Sequence, residues 1–217
     1  MTIHYRHCRG ADAEGVINVC YRTGFMGEDL TGTGRFNDIR LFGFLFCLYY
    51  VLYEPETSFV AVDSDSEDRV VGYILGTADA AGQGRGFNRT MMPRILARLF
   101  LYTWWRYHES FTEVMYWNRH RPGKTQTVDF NVYPAHLHID ILPEYQRRGI
   151  GRELMTRFEE RLRVLGAGGV YLETSNHNTK ALGFYRKRGF TILSEEPGIF
   201  WSGVDDYRSV VLGKLIQ

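Results

Sequence analysis

The chain has 217 residues, which is enough for one domain with a substantial core and short for two. Its net charge of +1 excludes a general electrostatic drive toward nucleic acid or membranes. The three cysteines (Cys8, Cys20 and Cys47) are odd in number and lack metal-ligand spacing, so we expect no disulfide framework and no metal site. With no signal-peptide core and no apolar run of membrane-spanning length, the sequence favours a cytoplasmic protein.

The first half of the chain predicts strands, helices and one hairpin. A glycine-rich, acidic stretch over residues 24–35 is expected to be a loop between two helices. An acidic turn over residues 63–68 is expected to join two strands as a hairpin. The elements expected here are strands over residues 3–8, 58–62 and 69–77, a helix capped by Asp12 that ends at Gly24, and an aromatic-rich helix starting at Asp38.

The middle of the chain is harder to interpret. Residues 92–107 have helical periodicity and carry several large apolar side chains. Residues 120–127 contain Pro122 and Gly123 and are expected to form a loop.

The second half alternates strands and helices. Leu154, Phe158, Leu162 and Leu165 are spaced to share one face of a helix over residues 152–165. This alternation predicts an α/β or α+β layered domain with a mixed sheet. The other elements expected are strands over residues 137–142, 170–174, 190–193 and 209–215 and a short helix over residues 179–187.

A glycine-containing turn lies between the strand at residues 137–142 and the helix that follows it. It reads Gln-Arg-Arg-Gly-Ile-Gly over residues 146–151. Backbone N–H groups at such a strand–turn–helix junction can bind a phosphate, and glycines let it approach closely. Arg147, Arg148 and Arg152 add positive charge at the same helix end. The alternative is a tight connection with solvated arginines.

A second motif follows about thirty residues later and carries a resemblance. It reads Asn178-x-x-Ala181-x-x-Phe184-Tyr185-x-x-x-Gly189-Phe190. Together the two motifs resemble the GNAT superfamily of acetyl-CoA-dependent N-acetyltransferases. The resemblance implies one GNAT-like domain over residues 1–217, with an inserted helical region around residues 80–132. It also implies a twisted mixed sheet flanked by helices, splayed between two central parallel strands where acetyl-CoA would lie.

The resemblance assigns the contacts of the cofactor. Backbone amides of the turn would hold the pyrophosphate, and the pantetheine arm would pair with the main chain of Ile139 and Ile141. Asn178 would bind the pantetheine, although it is equally placed to cap a helix. Phe184 is expected in the core rather than in contact with the ligand. Arg188 would reach the 3′-phosphate, the alternative being that the charged run over residues 186–188 is simply solvated. The turn residues implied as contacts are Gln146, Arg147, Arg148, Gly149, Ile150, Gly151 and Arg152.

The catalytic assignments are less direct. Tyr185 matches the family's thiolate-protonating tyrosine, the alternative being a half-buried aromatic side chain. His136, His138 and Asp140 alternate along one strand and share a face, so His138 or Asp140 is a candidate base. The alternative is that these polar groups are merely paired with each other, and a strand bulge would change which of them reach the cleft. Glu173 on the next strand is a further candidate, and water could relay the proton.

The acceptor is expected to be a primary amine of a small amine, an amino sugar or a lysine side chain. Glu28 and Asp29 are candidates to hold a cationic amine. The alternative is an acidic loop that is simply solvated. Several N-terminal stretches are also similar to the acetyltransferase-like domain of O-GlcNAc hydrolases. The alternative function is a catalytically silent acetyl-CoA-binding sensor or interaction module. Without a Gly-Lys-Ser/Thr motif another nucleotide-binding fold is disfavoured, and we expect a monomer or homodimer without nucleic-acid or membrane partners.

Overall fold

A computed structural model describes residues 2–120 and 128–216 of the chain. Within this part, seven strands form one sheet in the order β1-β2-β3-β4-β5-β7-β6. The strands are β1 (Ile3–His7), β2 (Phe59–Asp63), β3 (Arg69–Thr77), β4 (Ala135–Ile141), β5 (Gly169–Ser175), β6 (Thr191–Pro197) and β7 (Arg208–Leu215). The helices are α1 (Ala13–Tyr21), α2 (Ile39–Phe46), α3 (Leu48–Tyr53), α4 (Ala80–Arg98), α5 (Trp104–Arg106), α6 (His108–Arg119), α7 (Ile150–Val164) and α8 (Thr179–Lys187).

The sheet opens between its two central strands. All neighbouring strands pair antiparallel except β4 and β5, which are parallel. These two pair only at Ala135 with Val170 and at His136 with Tyr171. Beyond these pairs they diverge, which leaves the later part of β4 with a free edge. The mixed sheet and its splay are confirmed, as is the hairpin of β2 and β3.

Helix α7 covers one face of the sheet. Its Leu154, Phe158 and Leu162 are fully buried, and burial of each such side chain stabilises the fold by about 1.5–3 kcal/mol. A Cβ at Gly76 of β3 would lie 2.5 Å from the Phe158 ring, so helix and strand pack closely there. The expectation that Leu165 shares this buried face is wrong: it follows the last turn and is 43% exposed.

Helices α1, α2 and α3 cover the other face, where two local expectations fail. The single helix expected after Asp38 is broken at Cys47, whose backbone leaves helical geometry (φ −129°) and separates α2 from α3. Asp12 precedes α1 but does not cap it. Its carboxylate instead accepts hydrogen bonds from Arg6 and from the Arg9 N–H, each at 2.7 Å. An arginine and an amide of the preceding segment are therefore its partners.

The first helix after β3 begins earlier than its periodicity predicts. Helix α4 begins at Ala80, twelve residues before the helix expected over residues 92–107. The Asp79 carboxylate caps it by accepting from the Gly82 N–H at 2.9 Å, and glycines with low intrinsic propensity hide its first turns. A π-helical turn (Leu99–Thr103) joins α4 to α5.

The loop expected over residues 120–127 lies almost wholly outside the described residues.

No helix of the described part is both long enough and apolar enough to cross a bilayer.

Candidate active site

The turn that follows β4 has the backbone shape of an anion-binding loop. Arg147 and Gly149 both have left-handed conformations (φ +60° and +84°). Left-handed residues in a tight turn can direct successive N–H groups toward one concave side. α7 begins at Ile150, so the first N–H groups of this helix have no intrahelical acceptor and the helix dipole adds positive potential.

The surroundings of the turn leave room for a ligand. A Cβ built on Gly149 would meet no atom within 4 Å, so the space beside it is open. Arg147, Arg148 and Arg152 are exposed around it. Ile150, in contrast, is 2% exposed and belongs to the core, so only its main chain is available to a ligand. A non-glycine residue held at positive φ, as Arg147 is, costs about 1–2 kcal/mol and is often found at functional sites.

Gly151 brings the start of α7 close to β4 and α8. A Cβ there would lie 3.1 Å from Ile141 Cδ1 and 3.4 Å from the Phe184 ring. Phe184 therefore packs against the first turn of α7. This contact sets the turn, the splayed edge of β4 and α8 next to one another.

The main chain of Ile139 and Ile141 faces the gap between β4 and β5. The Leu142 N–H donates to the Val71 carbonyl of the β3 side at 2.9 Å. Main-chain groups alternate in direction along a strand, so those of Ile141 and Ile139 point to the opposite, unpaired edge. The Gln146 side chain uses part of this edge, because its Nε2 donates to the Ile141 carbonyl at 3.0 Å. The N–H groups of both isoleucines remain directed at the gap.

The even-numbered residues of β4 form a polar network on the face covered by α1 to α3. The Tyr73 hydroxyl of β3 donates to Asp140 Oδ2 at 2.6 Å. His138 Nε2 lies 3.3 Å from the same Asp140 oxygen, and its Nδ1 lies 3.2 Å from the Tyr73 hydroxyl. His138 is 36% exposed whereas Tyr73 is fully buried, so the imidazole is the accessible member of this group.

Burial and neighbours adjust the acidity of this network. Burial raises the pKa of Asp140, while His138 and hydrogen bonds from Tyr73 and Thr23 work against that rise. Burial also raises the pKa of Tyr73 well above its usual value, with the Asp140 carboxylate adding to it. Tyr73 thus stays protonated as a donor, and Asp140 is a more basic carboxylate than one in water.

His136 begins the same face of β4 but has different surroundings. Its Nδ1 lies 2.9 Å from the Tyr50 hydroxyl, and its ring lies 4.9 Å from that of Tyr171. Burial lowers its pKa to about 4, and His138 contributes to the lowering. His136 is therefore neutral at physiological pH.

Tyr185 lies on α8 and is buried beside two aromatic rings. Its ring centroid is 5.6 Å from that of Phe184 and 5.8 Å from that of Phe190. Burial raises the pKa of Tyr185, and the negative charge of Asp140 raises it further. The hydroxyl therefore keeps its proton at neutral pH, as a proton donor to a developing anion must.

The remaining predicted residues have partners within the protein. The Ser209 hydroxyl of β7 donates to Glu173, which is exposed on β5. The Asn178 side chain accepts from the Ala181 N–H at 3.2 Å, so it caps α8. Arg188 turns toward α7, where it pairs with the buried Glu159 at 3.1 Å. This ion pair gives Arg188 a structural role in addition to the predicted contact with a phosphate.

A loop from the N-terminal half contacts the start of α8. Lys180 pairs with Glu28 at 3.0 Å, and a Cβ on Gly27 would lie 2.9 Å from the Asn178 amide. Arg22 pairs with Asp29 at 3.0 Å. Both acidic residues proposed to hold an amine are therefore within reach of basic side chains of the protein itself.

Sequence reasoning missed the side chains that complete the polar face. These are Tyr73 of β3, Thr23 after α1, Tyr50 of α3 and Tyr171 of β5. Alternation along β3 indicates that Tyr73 shares a face with every second residue of its strand. No local pattern, however, indicates that it pairs with Asp140, since this requires the register of β3 against β4. A cavity of about 560 Å³ lies elsewhere, between α3, the end of β3 and the start of α4, and includes none of the predicted site residues.

The profile of the Acetyltransferase (GNAT) family matches residues 28–190, and the chain belongs to this family. Its fold is similar to that of SsHAT, with a TM-score of 0.66, 28% identity and complete coverage of both chains. It is also similar to yncA from Salmonella typhimurium, whose structure contains acetyl-CoA. That match has a TM-score of 0.59 and 13% identity over 100% of this chain and 95% of the other, and at this identity it shows the fold alone.

Curated relatives match over shorter stretches. N-alpha-acetyltransferase RimI of Mycobacterium tuberculosis is 40% identical over 70 residues, which are 32% of this chain and 40% of that protein. Streptothricin acetyltransferase of Streptomyces lavendulae is 34% identical over 62 residues, which are 29% of this chain and 33% of that protein. The matched stretches thus span less than half the length of these curated relatives.

Proposed function

We propose that the protein transfers an acetyl group from acetyl-CoA to a primary amine by direct attack in a ternary complex. The observation that carries this proposal is the turn after β4, where left-handed Arg147 and Gly149 face open space at the start of α7. The adjacent edge of β4 is free to pair with an extended chain. A pyrophosphate followed by a pantetheine arm fits this succession of a concave turn and a free strand edge.

Main-chain groups would hold the cofactor. The N–H groups of Ile139 and Ile141 face the gap and would bind carbonyl oxygens along the pantetheine arm. Acetyl-CoA would supply an activated acyl thioester. The exposed Arg147, Arg148 and Arg152 would neutralise its phosphates.

The polar face of β4 would take a proton from the attacking amine. His138 is its accessible member, while Asp140 and Tyr73 orient the imidazole and the Asp140 carboxylate balances a positive charge on it. A water molecule between the amine and His138 would serve as well as direct contact. Glu173, across the gap on β5, is the alternative base. Tyr185, which keeps its proton, would donate it to the departing thiolate.

The acceptor is expected to be a small amine, an amino sugar or a lysine side chain. It would enter between the loop that contains Glu28 and Asp29 and the polar face of β4. We include in this proposal a cytoplasmic location, a monomer or homodimer, and membership of the subgroup that resembles the acetyltransferase-like domain of O-GlcNAc hydrolases.

A catalytically silent acetyl-CoA-binding module is the second candidate. One observation favours this module. Glu28, a candidate to hold a cationic amine, already pairs with Lys180 of the protein itself. Both candidates require the turn after β4. Only the enzyme requires the Tyr185 hydroxyl and a base.

Two measurements separate the candidates. Calorimetry with acetyl-CoA tests binding, and mass spectrometry of a panel of primary amines incubated with protein and acetyl-CoA tests transfer. We expect binding and acetylation of at least one class of amine. Binding without transfer to any class would support the silent module, and a folded protein that gives no heat with acetyl-CoA would contradict both.

A further inference from the structure

Positive charge is concentrated in one helical segment of the chain. Residues 80–107 contain five arginines and neither aspartate nor glutamate, whereas the whole chain has a net charge of only +1. The small net charge, from which no membrane partner is expected, therefore conceals a strongly basic region. The arginines are Arg85, Arg89, Arg94, Arg98 and Arg106.

Among the described residues, two of these arginines have carboxylate partners and three do not. Arg98 pairs with the buried Asp38 at 2.7 Å, and Arg85 lies 4.0 Å from Asp79. Within the described part of the chain, no carboxylate lies within ion-pair distance of Arg89, Arg94 or Arg106. All three are exposed, so their charge is available to a partner.

An exposed apolar strip lies along the same segment. We call it the aromatic ridge, and it consists of Leu96, Phe100, Leu101, Tyr102, Trp104 and Trp105. Leu101 is 76% exposed, Phe100 62% and Trp105 57%. Isolated exposed apolar residues are ordinary, but six within ten residues concentrate apolar surface in the way that marks an interaction surface.

The fold itself turns the ridge outward. Met91, Ile95, Leu99 and Thr103 form a buried stripe at intervals of four residues. This stripe fixes the orientation of α4 and of the π-helical turn against α2 and α6. The ridge, on the other side of the helix, therefore has no partner of its own within the described chain.

We propose that the aromatic ridge and its arginines dock on the surface of an anionic lipid bilayer. Tryptophan and tyrosine rings favour the depth of the lipid headgroups, and exposed arginines bind the anionic lipids around them. The indole N–H of Trp105 already donates to the Leu101 carbonyl at 3.2 Å, so this ring can leave water without losing a hydrogen bond. The segment would lie on the membrane surface, because no described helix, α4 included, is long and apolar enough to cross a bilayer.

A second copy of the chain fits this surface less well. In a symmetric dimer built on the ridge, the same patch faces itself. Arg89, Arg94 and Arg106 of one copy would then face the same basic segment of the other, which has no acidic residue to balance them. Charge complementarity therefore favours an anionic partner over self-association.

Vesicle flotation tests the proposal with the full-length protein. Vesicles of phosphatidylcholine alone are compared with vesicles that contain about a third phosphatidylglycerol. We expect the wild type to float with the anionic vesicles only, and to be released as salt rises from about 0.1 M to about 0.5 M. Two double variants remove one contribution each, Phe100→Ser with Trp104→Ser and Arg94→Glu with Arg106→Glu. Each is expected to bind anionic vesicles at least about tenfold more weakly.

Matched variants elsewhere on the surface provide the controls. Val164→Ser removes an apolar side chain that is 75% exposed on α7, and Arg9→Glu reverses an exposed charge near the N-terminus. Both should float as the wild type does. Circular dichroism and calorimetry with acetyl-CoA establish that every variant is folded.

Three results would overturn the proposal. One is a wild type that floats with neither vesicle type. Another is binding that the controls weaken as much as the ridge variants do. The third is a dimer, detected by sedimentation, that the ridge variants abolish while no vesicle binds, which would assign the ridge to a contact between two copies.

Discussion

The turn after β4 and the polar network on β4 lie close together but arise in different ways. The turn consists of consecutive residues, and its shape depends on the backbone of Arg147 and Gly149. The network joins Asp140 to Tyr73, 67 residues earlier in the chain, and exists because β3 and β4 pair in one register. A main-chain site can therefore be recognised from a short stretch of sequence, whereas a side-chain site needs the assembled sheet.

The same contrast predicts which changes each region tolerates. In the proposed function the turn acts through N–H groups, so it should tolerate changes of exposed side chains but not the loss of Gly149. The network would act through side-chain oxygens and nitrogens, so single-atom changes should alter it. Four experiments, from the largest expected effect to the smallest, test this contrast.

Gly149→Val is expected to weaken acetyl-CoA binding by at least about 100-fold, because the side chain fills open space beside the N–H groups and strains a left-handed residue. Calorimetry measures the affinity. Gly166→Val is the matched control, since Gly166 also has a positive φ (+71°) and a Cβ added there would meet no atom within 4 Å. Equal losses of affinity in the two variants would show that strain alone is responsible, and would remove the turn from the cofactor site.

Tyr185→Phe is expected to lower kcat by about 100-fold with little change in acetyl-CoA affinity, because it removes a proton donor and leaves the ring packing in place. Steady-state kinetics and calorimetry measure the two effects. Tyr145→Phe is the control, as it deletes a buried hydroxyl that donates to Asp63 at 2.9 Å. An unchanged kcat in Tyr185→Phe would exclude this tyrosine from the reaction.

Tyr73→Phe is expected to move the acidic limb of the pH–rate profile to higher pH, by up to about one unit. The Tyr73 hydrogen bond lowers the pKa of Asp140, so its loss raises that pKa and the ionised carboxylate forms later in a titration. We also expect a fall in kcat of about tenfold. Tyr50→Phe, which removes only the partner of His136, should leave the limb in place. A profile that does not move in Tyr73→Phe would separate Asp140 from the proton transfer.

Acidification is expected to destabilise the wild type through His136. Its pKa is about 4 in the folded protein and about 6.5 when unfolded. The unfolded chain therefore binds more protons between these values, and stability is complete above about pH 6.5 and lost as the pH falls toward 4. Urea unfolding at about pH 7 and pH 5 should show a loss of roughly 1–2 kcal/mol. His136→Gln should show a smaller loss, and an equal loss in both proteins would assign the effect to other groups.

Much of the fold follows from local patterns. The bounds of β3 and α8 agree with the residues expected, and the other strands differ by a few residues at their ends. The predicted bounds are wrong where the local residue preference differs from the structure that forms. The glycines before residue 87 conceal the start of α4, and the continuous apolar run around Cys47 conceals the break between α2 and α3.

The candidate site divides along the same line. Gly149, Gly151 and the start of α7 between them were recognisable from the sequence, since the glycine spacing specifies a backbone shape. The partners of Arg188 and Asp140 were not. Arg188 turns to Glu159 of α7, and this choice depends on how two helices pack rather than on the charge run that contains it.

By itself the sequence determined most strands and helices in chain order and the backbone shape of the turn after β4, because φ, ψ and periodicity depend on neighbours within a few residues. Only the tertiary structure decided which side chains meet on β4, where the sheet opens, and that the aromatic ridge faces outward. These features depend on strand register and helix packing between residues far apart in the chain, and such contacts leave no local signal.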